Sequence, residues 1–265
     1  MRRSLLVPAL VVFLLLAISG CADAAPNGAI HIATVDGAIG PITERYLDRA
    51  ITRAEDNTAK LIVIEMDTPG GSSDSMREIV KRIERSRVPV AVYVAPAGGR
   101  AASAGTFITM AAHIAAMAPN TSIGAASAVN ADGSDIEGTL GRKVENDAVS
   151  FIRGIAQLRG RNADWAEQAV REAVSADQSK AVELHVVDFV ADSLDALLDR
   201  VDGTTVELQP GTRVEMRGLH DAPRVHTDMT GWERFLAVIA DPTLASLLIT
   251  IGFFGLVFEL SNPGL

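Results

Sequence analysis

The sequence predicts an α/β fold with a mostly parallel sheet, on three observations. Apolar runs of strand length, Ala29–Val35, Leu61–Met66 and Val88–Val94, each give way to a turn and then to a helix-compatible run. This strand–turn–helix unit recurs several times within roughly 100 residues, the pattern of a sheet covered by helices. The chain has 265 residues and is 48% hydrophobic, enough to bury one sizeable core.

The elements follow in order. Ala29–Val35 alternates as a first strand, and Asp36-Gly37 turns it. Thr43–Ala59 has helical period, with Tyr46, Leu47, Ala50, Ile51 and Ala54 on the inner face. Leu61–Met66 is a buried strand running into Asp67-Thr-Pro-Gly-Gly71, where Pro69 fixes a turn and the paired glycines permit unusual backbone angles. Ser72–Arg85 is the next helix. Val88–Val94 is a strand leading to Gly99-Arg-Ala-Ala-Ser-Ala-Gly-Thr106, which opens an apolar helical run from Phe107. His113–Met117 and Thr121–Ala125 are short strands. Ala128–Gly141 is a polar loop carrying Asn130, Asp132, Asp135 and Glu137, and Lys143 follows it at the start of an amphipathic helix, Val144–Leu158. Helices over Ala163–Val174 and Asp177–Leu184, a strand at Val186–Val190 and a short helix at Ser193–Val201 come next. Val206–Leu219 alternates as a hairpin or irregular lid.

Both ends are apolar. Met1-Arg-Arg3 precedes a 14-residue apolar run, Leu5–Ile18, the size of a secretory core region. Ile18-Ser-Gly-Cys21 resembles a lipoprotein cleavage box with Cys21 lipidated, Ala22-Asp-Ala24 an ordinary cleavage site, and an uncleaved anchor is the third option. Each places the following domain outside the cytoplasm of a bacterial cell, because Arg2 and Arg3 stay inside. Near the other end, Leu244–Leu260 is 17 nearly continuous apolar residues after an Asp241-Pro242 helix start. With Pro242 and Thr243 it approaches bilayer length, and Gly252 and Gly255 suit packing in lipid. The competing reading is a buried core helix.

Composition excludes some classes. A net charge of -9 offers no electrostatic basis for nucleic-acid binding, and one cysteine forms neither a disulfide framework nor a cysteine metal site. No His/Glu spacing suggests zinc and no glycine pattern suggests a nucleotide, so no cofactor is expected. The 24 basic residues include only four lysines, Lys60, Lys81, Lys143 and Lys180. The ordinary positive charge thus comes from arginine, which does not deprotonate in a protein, and a lysine in a Gly/Ser-rich loop stands out slightly.

Ser103 is the candidate nucleophile. Ala101, Ala102, Ala104 and Gly105 around it would let a substrate backbone come close, and a helix N-terminus favours developing negative charge. The plainer reading is a helix N-cap. Gly70-Gly71 after a strand can turn N–H groups into open space, though a simple turn explains it too. A Ser–His–Asp triad using His113 with Asp147 or Asp188 is the alternative. A helix rise of ~1.5 Å per residue puts Ser103 and His113 about 15 Å apart, against it.

The segments Met66–Gly71, Gly99–Phe107, Ala115–Ala125, Lys143–Asp147 and Phe258–Gly264, in this order and spacing, resemble the NfeD-type membrane-bound serine proteases of the Clp-protease/crotonase superfamily. The resemblance covers about Ala29–Leu265. It implies repeated β-β-α units and a Ser–Lys dyad, with Ser103 as nucleophile, Lys143 as general base, and Gly70, Gly71 and Ala104 as the oxyanion hole. It further implies an endopeptidase cutting hydrophobic segments of membrane proteins, possible substrates being stomatin-like, and a homodimer or larger assembly. The layout expected is a signal or anchor at 1–25, the protease domain at 27–225, a juxtamembrane connector at 226–241 and a transmembrane helix at 242–261. Where the family often has Gly before the last strand, this chain has His185. Two other functions share the plan: a crotonase-like acyl-thioester enzyme, which the export segment argues against, and a non-catalytic membrane scaffold.

Overall fold

A computed structural model describes residues 26–130, 133–240 and 242–261. The expected leader with Cys21, Asp132, and the tail Asn262–Leu265 lie outside the described residues.

In chain order the first half holds β1 (Ile30–Asp36), α1 (Pro41–Asp56), β2 (Leu61–Asp67), α2 (Ser73–Glu84), β3 (Val90–Val94), β4 (Arg100–Ala102), α3 (Ala104–Ala111), β5 (Ile114–Met117) and β6 (Ser122–Gly124). There follow α4 (Gly138–Leu158), α5 (Ala163–Arg171), β7 (Ser175–Asp177), α6 (Gln178–Glu183), β8 (Phe189–Val190) and α7 (Leu194–Val201). The last elements are β9 (Thr205–Gln209), β10 (Thr212–Glu215), β11 (Arg224–His226), α8 (Gly231–Ile239) and α9 (Pro242–Ser261).

The main sheet has the order β11-β1-β2-β3-β5-β8, and every neighbouring pair is parallel. Its strands are apolar on both faces, as a parallel sheet covered on both sides requires. Ile62, Ile64, Val90, Val92, Val94 and Met117 point into one core with α1, α2 and α3. The alternate residues Leu61, Val63, Ala91, Tyr93 and Ile114 point into a second core closed by Leu197 and Leu198 of α7 and Val206 and Leu208 of β9. The alternating segment after α7 is thus the β9–β10 hairpin, and it covers a face of the sheet.

A second, smaller sheet runs above the first: β4 pairs with β6 in parallel, and β6 with β7 antiparallel. Parallel bridges Ile39–Gly71 and Thr68–Ala101 continue it. Each unit therefore contributes a long strand to the main sheet, a short extended piece to the second layer, and a helix. Of these pieces β6 falls within the expected strand Thr121–Ala125, whereas β4, β7 and the single-residue bridges are too short for alternation to reveal them in the sequence.

Two departures from expectation lie at α4 and at the sheet edge. Helix α4 begins at Gly138 rather than Val144, so the last four residues of the expected loop, 138–141, are helical. Strand β11 adds to the edge of the sheet, and Thr227 N–H continues its ladder by donating to Ile32 O at 2.8 Å. Among the described residues no helix is long and apolar enough to cross a membrane. The apolar run expected to do so lies in α9, where every residue from Ser246 to Ser261 is exposed.

Candidate active site

Ser103 joins β4 to α3 with φ 51° and ψ −114°. A non-glycine residue in so sparsely populated a region costs ~1–3 kcal/mol, and surrounding contacts must hold it. Here Ser103 N–H donates to Gly124 O at 3.1 Å, and Thr106 N–H donates to Ser103 O at 2.9 Å. The Thr106 hydroxyl lies 2.9 Å from Ala101 O and 3.1 Å from Gly124 O, tying β4, β6 and α3 together under the serine. The serine hydroxyl makes no cap bond to α3, so the N-cap reading does not describe it.

The glycines are set by close approach. A Cβ on Gly70 would lie 2.6 Å from Ser103 Cβ and 3.1 Å from its Oγ; one on Gly71 would lie 2.0 Å from Ile39 O. A Cβ on Gly105 would meet Thr68 Cγ2 at 2.5 Å, so α3 can sit this near β2 only without that carbon. The three expected oxyanion donors are not equivalent. Gly70 N–H donates to Thr68 Oγ1 at 3.1 Å and is turned inward. Ile39 bonds Gly70 O and Ser72 N–H, each at 2.8 Å, so the intervening Gly71 N–H faces the opposite side of that strand. Ala104 N–H is the first of α3, where the helix has no acceptor for it.

The far end of α3 is held by buried cations. Arg161 Nη1 donates to Met110 O at 2.7 Å and to Ala112 O at 2.8 Å, while its Nη2 pairs with Asp188 at 2.9 Å. Arg159 Nε donates to Ala111 O at 2.9 Å, and burial beside Arg161 pulls its guanidinium down to about 10. Positive charge on these carbonyls complements the helix dipole whose positive end lies at Ser103. Neither arginine carries a sequence signal that separates it from a surface arginine at a helix end.

Ser103, Ala104 and Gly71 line a cavity of ≈ 800 Å³ between α2, α3 and α4. Met76, Phe107, Val129, Ile136 and Val144 give it an apolar wall. At its rim Arg77 pairs with Asp147 and lies 4.3 Å from the Phe151 ring centroid, joining α2 to α4. Lys143 is not in this wall. It lies on an exposed face of α4, and among the described residues no side-chain partner holds it. None of residues 138–148 is buried, and Ala148 is the first of them to pack against the core; before it, α4 is held by surface ion pairs and hydrogen bonds, Asp147 to Arg77 and Glu145 and Asn146 to Arg171.

The histidine alternative is not assembled. Val90 N–H donates to His113 Nδ1 at 3.1 Å, which leaves the other nitrogen to donate to Leu208 O at 3.2 Å. Burial and the nearby Arg159 push this imidazole down to about 3, and it is a neutral structural group. Asp147 is taken by Arg77 and Asp188 by Arg161.

The family described as "NfeD1b, N-terminal domain" matches residues 29–207. The chain belongs to this NfeD family. The membrane-bound protease PH1510 of Pyrococcus horikoshii is 34% identical over 267 residues, covering 100% of this chain and 59% of the relative. The membrane protein NfeD1b of Bacillus subtilis is 26% identical over 235 residues, covering 89% and 52%. The chain thus spans between half and three-fifths of the length of these relatives. Among solved structures, 1510-N, a membrane-bound stomatin-specific protease, matches as a lysine-to-alanine variant in complex with a substrate peptide. The TM-score is 0.74 at 35% identity, covering 82% of this chain and 99% of that one. The ClpP1 structure from Listeria monocytogenes matches at TM-score 0.52 and 19% identity, a likeness of fold. The NfeD chain described here has an α/β fold that resembles those of PH1510 and ClpP.

Proposed function

We propose that this NfeD chain is the catalytic part of a membrane-associated serine endopeptidase that cuts apolar segments of membrane proteins, stomatin-like ones being the class for which 1510-N is named. The observation that carries the reading is Ser103: a strained, uncapped serine at an apolar cavity large enough for an extended peptide. Its Oγ attacks the scissile carbonyl, and the N–H groups of Gly71 and Ala104 receive the oxyanion. Gly70 serves by lacking a side chain beside Ser103.

Lys143 is the general base. It takes the Ser103 proton and returns it to the leaving amine. This demands a neutral amine, whereas free lysine titrates near ~10.4. Lys143 therefore acts after the weakly anchored first turns of α4 close over bound peptide and dry it; buried lysines reach ~5–6. An acyl-thioester substrate would use the same N–H pair. The apolar wall and the relatives named as proteases favour a peptide. The chain works outside the cytoplasm as a dimer or larger assembly, with its N-terminal segment as leader, lipid-bearing Cys21 or anchor, and α9 in the bilayer.

The test is cleavage of apolar peptides by the full chain in detergent, followed by mass spectrometry. Ser103→Ala and Lys143→Ala should each reduce turnover by ~10³-fold or more with folding unchanged. Cleavage retained in Ser103→Ala rejects the nucleophile. Cleavage retained in Lys143→Ala alone moves the base elsewhere.

A further inference from the structure

The site does not account for the outer face of α8. Trp232, Phe235 and Val238 recur at helical spacing on it and are 66%, 52% and 59% exposed, and Trp232 and Phe235 stack with ring centroids 5.4 Å apart. The other face is fastened to the domain. Arg49 holds Glu233 through two bonds of 3.1 and 2.6 Å and also donates to Asp228 O at 3.0 Å. Thr230 and Glu233 close a capping box that fixes the start of the helix. The aromatic stripe therefore cannot roll inward without breaking these contacts.

We infer that α8 lies in the lipid–water interface, with Trp232, Phe235 and Val238 among the headgroups and upper acyl chains, and that the Arg49–Glu233 lock sets the tilt of the catalytic domain on the membrane. Continuity selects this occupant over others. One turn after Ile239 the chain enters the apolar helix α9, exposed on all sides from Ser246 onward, so α8 sits at the mouth of that segment. Tryptophan and phenylalanine on one face of a short helix at that level are the ordinary interfacial anchor. The stripe is neutral and the chain carries a net charge of -9, so a zwitterionic surface suffices. The inference rests on α9 entering the bilayer.

The chain has two tryptophans, and Trp165 is only 5% exposed, so Trp232 is a usable reporter. The full chain is reconstituted into phosphatidylcholine vesicles, and the emission of a Trp232→Phe variant is subtracted. The Trp232 signal should move to shorter wavelength. It should be quenched more by lipid brominated near the carbonyl end of its chains than near the methyl end, as a burial of ~5–10 Å requires. Phe235→Glu should weaken this quenching while flotation of the chain with vesicles persists. Flotation without quenching of Trp232 overturns the inference and leaves the membrane reading of α9 standing. Failure to float overturns both. A blue-shifted Trp232 that brominated lipid does not quench and that responds to protein concentration would assign the stripe to a second copy of the chain instead.

Discussion

Ser103 joins reactivity to instability. Its φ of 51° and ψ of −114° suit a residue without Cβ, and the surrounding hydrogen bonds hold it there. Ser103→Gly and Ser103→Ala both remove the hydroxyl, but only the glycine relieves the backbone. The glycine variant should be the more stable of the two by ~1–3 kcal/mol in urea unfolding; equal midpoints would show the strain to be absent. Gly70→Ala places a carbon 2.6 Å from Ser103 Cβ, so peptide cleavage should fall by ~10²-fold or more as the serine is displaced, with a smaller effect on thermal stability. At this scale the sequence was informative: the Gly-Gly pair and the small residues around Ser103 mark a close approach of backbones. It did not reveal that Gly70 N–H would be spent on Thr68 Oγ1, because that depends on which way one peptide plane turns. His185 is legible after the fact. It holds φ 58° in the turn before β8, a position where glycine is unstrained.

At the scale of elements, α3 is anchored from its far end. Arg161 bonds two of its last carbonyls while 7% exposed, so Arg161→Met leaves buried acceptors unpaired. We expect a loss of ~3 kcal/mol in chemical unfolding, with Arg161→Lys recovering little because one ammonium cannot reproduce the fork. His113, packed under the same end, gives stability a pH dependence. It stays neutral in the fold down to about 3, whereas the unfolded chain takes up a proton near 6.5. The unfolded state then binds more protons between these values, so stability falls as pH drops from about 6.5 toward 3. Unfolding midpoints across this range should slope less steeply in His113→Gln than in the parent; equal slopes would assign the acid sensitivity to other groups. The long amphipathic helices and parallel strands were readable because each buries a continuous stripe or run. In the second sheet only β6, inside the expected strand Thr121–Ala125, was readable; β4 and β7, three residues each, were not, and the early start of α4 was hidden by Gly138 and Gly141, which read as loop residues.

For the whole molecule, two cores on the faces of one parallel sheet make a rigid frame, and the parts expected to move or to meet other surfaces lie outside it. The first turns of α4 carry Lys143 with no buried residue, and α8 and α9 carry the exposed apolar side chains. The division of labour was legible as composition, a mixed domain followed by an almost purely apolar run, while the aromatic stripe on α8 appeared only once Arg49 and Glu233 fixed which face is outward. One serine on this frame, Ser103, is the proposed nucleophile. This role is tested most directly by treating the full chain with an apolar peptidyl phosphonate and mapping the adduct by mass spectrometry. A single adduct on Ser103 is expected, absent from Ser103→Ala and formed far more slowly in Lys143→Ala. An adduct on any other residue, or one that survives Ser103→Ala, would contradict it.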